Sequence, residues 1–189
     1  MSKRSISLGF QIFIIFALAG CSSDSKLATN SDLSGGLWSI SVSSPAFNNM
    51  GMIPVKYTQD GENVSPPLAW SKGPGGTKEF VLVIEDPDAP GDFPYLHWFV
   101  YRIPVTRNQL AEGASSDASL MQGKNYLGKV GYAAPKPPPG KTHRYFFEVF
   151  ALDTPQDWPE GMERSMVRAR FKGHVLAKGQ LIGQYKAAR

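Results

Sequence analysis

Prolines set the first limit on what this chain can fold into. Fifteen of its 189 residues are proline. Inside a helix each would remove a donor and clash with the preceding turn, at a cost of about 3 kcal/mol or more. Long helices are thereby disfavoured over most of the chain, and many connections have a set course. Short apolar runs lie between the prolines. "KEFVLVIED" is the clearest, because residues 80–84 are continuous, β-branched and aromatic, as in a strand buried on both faces. "HWFVYRIP" is a second strand, stopped by Pro104, and "HRYFFEVFAL" is a third. Near the start, "LWSISVSSPAF" alternates Trp38, Ile40 and Val42 against Leu37, Ser39 and Ser41, a strand period with one apolar face.

The remaining segments fit the same class. "IPVKYTQDGENVSPPLAW" reads as a short strand, an Asp60-Gly61 turn and a stiffened stretch ending on Trp70. Residues 110–131 are rich in Gly, Ser and Asn without a sustained period, which predicts a long ordered loop. One helical patch is expected over 164–172, followed by a last segment ending on Tyr185. The expected fold is mostly β, a two-sheet antiparallel sandwich with one or two short helices near the C-terminus. Trp38, Trp70 and Trp98 are expected in the core or on a pocket wall. Arg164, Arg168 and Lys172 are expected on a solvated face, within reach of a lipid surface.

The first twenty residues read as a leader. Lys3 and Arg4 precede an almost unbroken apolar run over 6–19, shorter than the about 20 residues that cross a bilayer but suited to a signal-peptide core. The run ends in "LAGC", and Cys21 is the only cysteine. Small residues before a cysteine at that place resemble a bacterial lipobox. That resemblance implies cleavage before Cys21 and diacylation of its thiol, with palmitate-like chains anchoring the protein in the membrane. Ser22 follows, where an aspartate would have pointed to inner-membrane retention, so the expected location is the outer membrane of the bacterial envelope, facing the periplasm. Residues 21–36 then form a flexible lipidated tether, and 37–189 a single domain.

Charge excludes one class of partner. Twenty Lys and Arg against 16 Asp and Glu give +4, and loss of Lys3 and Arg4 leaves +2 on the mature chain. That charge is small and dispersed, so no nucleic-acid partner is expected. Neither a Gly-rich phosphate loop, nor zinc-spaced Cys/His, nor a Gly-x-Ser-x-Gly elbow occurs, and no metal or cofactor is expected.

Two proline-rich loops carry the chemistry. In "EDPDAPGDFPYLHW", Asp86 and Asp88 flank Pro87, and His97 opens the next strand. In "GYAAPKPPPGKTHRY", four prolines including Pro138 lead to His143, Arg144 and Tyr145. His143 and Tyr145 are two apart on a strand, so both face one side and Arg144 the other. A lone histidine at a strand end is more often a packed or capping residue, and the aspartates alone would be turn formers. Yet only three histidines exist, and two adjoin these loops. His97, His143 and Tyr145 would supply hydrogen bonds, with Asp86 orienting an imidazole. His174, in "GHVLA", is expected to be structural.

At these residues the chain resembles the phosphatidylethanolamine-binding protein family, in its bacterial Raf kinase inhibitor-like branch. "NVSPPLAW", "DPDAP", "LHW", "NYLGKVGYAAPKPPPGKTHRYFFEVFAL" and "GHVLAKGQLIGQY" occur in family order. The resemblance implies a small anion pocket at one end of the sandwich, built from Asp86, His97, Pro138, His143 and Tyr145, with Asp88 and Pro87 shaping its rim. It also implies a cis X-Pro bond in the DPDAP turn. Ala133 and Ala134 stand where the branch usually has glycines, and their methyl groups are expected either to narrow the mouth or to shift the loop. Lys136 would add positive charge at the entrance. The implied ligands are phosphate-containing small molecules or phospholipid headgroups. An alternative is a regulatory role, inhibiting a protease-like or other envelope protein that docks over the mouth. No enzymatic activity is expected, since the motifs hold no serine or cysteine nucleophile; the alternative is a phosphoester hydrolase with a water nucleophile, His97 or His143 as general base and Asp86 orienting it.

Overall fold

The computed structural model describes residues 38–158, 162 and 169–188. The leader, Cys21, the tether, Arg164 and Arg168 lie outside the described residues. Two sheets face one another. The larger has the order β1 (Trp38–Ser39), β10 (Val175–Lys186), β9 (Thr142–Leu152), β5 (Glu79–Asp86), β6 (Tyr95–Pro104) and β8 (Met121–Gln122). A further strand, β3 (Gly51–Met52), also pairs with β10. The smaller sheet orders β2 (Val42–Ser43), β4 (Leu68–Trp70) and β7 (Gln109–Leu110). The long pairings β9–β10, β5–β9 and β5–β6 are antiparallel, whereas the two-residue β1 and β3 run parallel to β10.

The continuous apolar run of β5 is explained by its position. All eight of its residues are buried, because it lies between β9 and β6 and both sheet faces are covered. Phe80, Leu82 and Ile84 face the inter-sheet core with Trp98, Tyr145, Phe147 and Leu181. Val81 and Val83 face a second cluster with Leu96, Phe99, Phe150, Trp158 and Phe171. Each such side chain contributes about 1.5–3 kcal/mol when fully buried, so β5 anchors both layers.

β10 shows how the first strands come so near. Ala177, Gly179, Leu181, Gly183 and Tyr185 alternate inward on it. A methyl group on Gly179 would overlap the Ile40 backbone, and one on Gly183 would press on Ile53 and Phe47. Glycine at these two places lets the backbone approach.

Three expectations change. The alternating strand near the start is two strands, since the chain leaves the large sheet after Ser39 and enters the small one at Val42. Ile40 is buried at the crossing, but Trp38, on the outermost strand, is 71% exposed and is not a core residue. Of the expected helix, only residues 169–171 are helical among those described, and Lys172 is exposed in the following turn. The 110–131 segment is largely loop, with short pieces paired at its ends and a 3-10 turn at Ala114–Ser116.

Candidate functional site

The DPDAP turn is held by its own acids. Asp86 closes β5, and its Oδ1 accepts the Asp88 N–H at 2.8 Å, a local turn bond that aspartate makes readily. Its Oδ2 accepts from His143 Nδ1 at 2.8 Å, and both side chains are buried. Asp88 turns the other way. Its two oxygens receive Arg144 Nη2 at 2.7 Å and Arg144 Nε at 2.9 Å, and Oδ2 also receives the Arg144 N–H at 2.9 Å. The Arg144 hydrogen bonds hold the Asp88 carboxyl below the usual carboxylate range, against partial burial. Two acids two residues apart thus clasp two adjacent residues at the start of β9, beyond the last ladder pair Glu85↔Phe146.

His97 is aimed by a β-bulge. Ile84 pairs with Trp98, and the next residue, Glu85, pairs with Leu96, so His97 is the extra residue of β6. Such a bulge bends the strand and re-aims a side chain, a device common beside functional sites. His97 is 2% exposed. Its Nδ1 lies 2.6 Å from the Ala133 carbonyl, while the Ala133 N–H donates to the His97 carbonyl at 2.8 Å. The loop carrying the second set of prolines is fastened to β6 through this pair.

These elements enclose a cavity of about 370 Å³. Asp86, His97, Pro138, His143 and Tyr145 all line it, and Lys136 stands exposed on its wall. Arg144 does not line it, in keeping with strand alternation. Asp88 and Pro87 are not among its lining residues either; Asp88 borders a wider neighbouring hollow with Lys141, Thr142 and Arg144, sharing His143 as the common wall. Ala133 and Ala134 are buried behind the cavity and do not narrow it; Ala134 is bound by Gln59 and Asn63. All described peptide bonds are trans, including those before Pro87 and Pro90. The intrinsic trans preference of about 0.5–1 kcal/mol before proline is therefore not overridden in this turn.

Two wall residues escape the motif reading. Tyr95 and Tyr126 stack with centroids 4.7 Å apart, and Tyr126 lies 4.9 Å from the His97 ring. Tyr95 sits two residues before His97, the same spacing that joins His143 to Tyr145, so alternation was a usable signal. Tyr126 arrives from a distant loop, through its N–H to the Leu96 carbonyl at 2.7 Å, and no local pattern announces that.

The electrostatics are set by burial. Burial pushes the His97 imidazole below its ordinary value, outweighing the Ala133 hydrogen bond and the Asp86 charge. Burial, and then the Asp86 charge, push the Tyr145 phenol well above its ordinary range. Both side chains keep a buried polar atom, His97 Nε2 and Tyr145 Oη, that meets no hydrogen-bond partner in good geometry among the described residues, although Asp86 lies near enough to act on the Tyr145 hydroxyl. Buried polar atoms are mostly satisfied, so two orphans on one cavity wall mark a place where a ligand or solvent completes the bonding.

A family model described as phosphatidylethanolamine-binding protein matches residues 43–186. The chain belongs to the phosphatidylethanolamine-binding protein family. Within it, a UPF0098 protein of Methanothermobacter thermautotrophicus is 43% identical over 75% of this chain and 95% of that protein. A UPF0098 protein of Aquifex aeolicus is 44% identical over 77% of this chain and 87% of its own length. Among solved structures, a putative phosphatidylethanolamine-binding protein homolog of Chlamydia trachomatis superposes with a TM-score of 0.73 at 36% identity, covering 79% of this chain and 98% of that one. Escherichia coli YbcL, described as a new member of the mammalian PEBP family, gives 0.74 at 29% identity, with coverage of 79% and 99%. The shared region takes in both proline loops and every strand from β3 to β10.

Proposed function

We propose that this family member is a binding protein for a small oxyanion, the phosphate of a phospholipid headgroup or of a phosphorylated compound, held at the bacterial envelope by a lipid on Cys21. The observation that carries the reading is a pair of buried polar atoms, His97 Nε2 and Tyr145 Oη, that belong to residues lining one cavity and meet no hydrogen-bond partner in good geometry among the described residues. Lys136 adds positive charge at the entrance, and the Asp86 carboxylate, which would repel an anion, is occupied by His143 and the Asp88 N–H. Proline walls at 137, 138 and 139 keep the ordering cost of binding low.

Binding is the role proposed for this wall. None of the described residues lining the cavity is a serine, threonine or cysteine. A second reading, a regulatory partner docking over the mouth, is favoured by exposed Phe93 and Leu127. They are near neighbours of the stacked pair Tyr95 and Tyr126. Titration calorimetry of the folded domain with inorganic phosphate at two pH values on either side of the histidine range is the test. Affinity is expected to rise as pH falls. No heat at either pH, or equal affinity at both, sinks the proposal.

A further inference from the structure

The cavity occupies one end of the sandwich, and the chain enters the described domain at the other. Trp38 pairs with Ala177 near the start of β10, whereas His143 pairs with Tyr185 near its close. Ala177 and Tyr185 are eight residues apart on one strand, a span of about 26 Å. The entry end presents a large ring to solvent. Trp38 is 71% exposed, while Trp70, Trp98 and Trp158 are buried. Val105, which follows β6, is exposed at the same end, four strand steps or about 19 Å across the sheet. Lys72 and Lys78 flank the loop over 73–77, whose Gly76 lies against Leu176 of β10. Lys172 stands in the turn before β10, and all three lysines are exposed. The exposed acids described at this end are engaged, Asp153 by His174 and Asp157 by Arg102. Tryptophan concentrates at membrane–water interfaces, and lysine is drawn to anionic headgroups.

Building on the reading of a lipid on Cys21, we infer that the entry end is the membrane-facing surface of the domain. Trp38 lies in the headgroup layer of the bilayer that holds the anchor, Lys72, Lys78 and Lys172 meet its anionic headgroups, and the cavity points away. The length of chain between anchor and domain favours this end over the other. Residues 21–36 lie outside the described residues, and only their number enters: a sixteen-residue coil spans about 20–24 Å. Joined just before Trp38, such a length brings the entry end to the bilayer without being stretched. To lay the mouth on the same bilayer it would first have to run about 26 Å along the domain, beyond the reach of a relaxed coil. Phe93 and Leu127 are exposed at the mouth, and lysines stand there too. They share that end with exposed Asp60, Glu62 and Asp92, which an anionic surface repels. In this orientation the ligand reaches the cavity from the aqueous side, not from headgroups of the leaflet that holds the anchor.

The test uses the mature chain, purified with its lipid and reconstituted in vesicles of phosphatidylethanolamine and phosphatidylglycerol. Trp38 is the one exposed tryptophan of four, so phospholipids brominated near the headgroup report on it. Its emission is expected to shift to the blue and to be quenched, and Trp38→Phe to remove the quenched component. Cys21 is the only cysteine, so once its sulfur carries the lipid an introduced cysteine is the single free thiol. Dyes on Lys78→Cys and on Leu127→Cys give two heights above the bilayer by energy transfer to a headgroup acceptor. The Lys78 position is expected at the headgroups and the Leu127 position well above them. Adding Trp38→Ser and Lys72→Glu is expected to bring the two heights together; an unchanged difference would assign it to the tether alone and overturn the docking. Unquenched Trp38, or a Leu127 dye as near the bilayer as the Lys78 dye, also overturns the inference and leaves the anchor standing. A chain purified from the envelope without lipid on Cys21 removes the anchor and the inference together. Phosphate titration does not depend on any of these outcomes, so the oxyanion reading stands or falls by its own test.

Discussion

Two histidine–aspartate pairs sit at opposite ends of β9 and share one geometry. At the cavity end His143 Nδ1 meets Asp86 Oδ2 at 2.8 Å, with 8% and 5% of the two side chains exposed. At the far end His174 Nδ1 meets Asp153 Oδ1 at 3.0 Å, with 43% and 40% exposed. The difference is solvent, not chemistry. Water competes for every bond of the outer pair, whereas the inner pair has no such substitute and is bound into the DPDAP turn through Asp88. A buried pair is costly to break from one side because the orphaned group keeps its desolvation penalty. An exposed pair is worth little.

Asp86→Ala is the strongest way to break this comparison. It leaves the buried His143 ring and the Asp88 N–H without their acceptor, and urea unfolding is expected to show a loss of about 2–4 kcal/mol. A loss under about 0.5 kcal/mol would put the pair in the class of surface contacts. Tyr145→Phe comes next, and it separates binding from stability. Phosphate affinity is expected to fall about tenfold, one hydrogen bond's worth. Unfolding free energy should change little, because the hydroxyl removed meets no partner in good hydrogen-bond geometry among the described residues.

A pH dependence sharpens the comparison further. His97 has its imidazole held below its ordinary value by burial. Below about pH 6.5 the unfolded chain therefore takes up a proton that the folded chain declines, so stability drops as pH falls through that region. His97→Gln should flatten this slope in unfolding curves taken from pH 7 to pH 5, and an unchanged slope would assign it to another group. The smallest effect belongs to the outer pair. Asp153→Ala is expected to leave the urea midpoint within error, and a clear shift would mean that exposure is a poor guide to the worth of these pairs.

Much of this was legible in the residues. The run over 80–84 reads as a strand buried on both faces, and β5 is that strand. The alternation at His143, Arg144 and Tyr145 sorts those side chains correctly between the cavity and Asp88. Local rules failed where a distant element decides. Asp88 looks like a site residue beside Asp86, but Arg144 draws it out of the cavity. Ala133 and Ala134 look like wall methyl groups, yet their backbone is spent on His97, Asn63 and Gln59. Trp38 has the period of a core residue, but the chain changes sheets two residues later.

The sequence by itself determined the strand runs, the stiff proline connections and the family to which the domain belongs, because periodicity and proline act through neighbouring residues. It also placed Asp86, His97, His143 and Tyr145 at strand ends beside those prolines. Tertiary structure decided their chemistry. Only the bulge in β6 aims His97, only the Ala133 carbonyl settles which of its nitrogens carries the proton, and only tertiary packing buries Nε2 and the Tyr145 hydroxyl without a partner in good geometry among the described residues. The His97–Ala133 and Asp86–His143 contacts join residues 36 and 57 positions apart, beyond the reach of any local pattern.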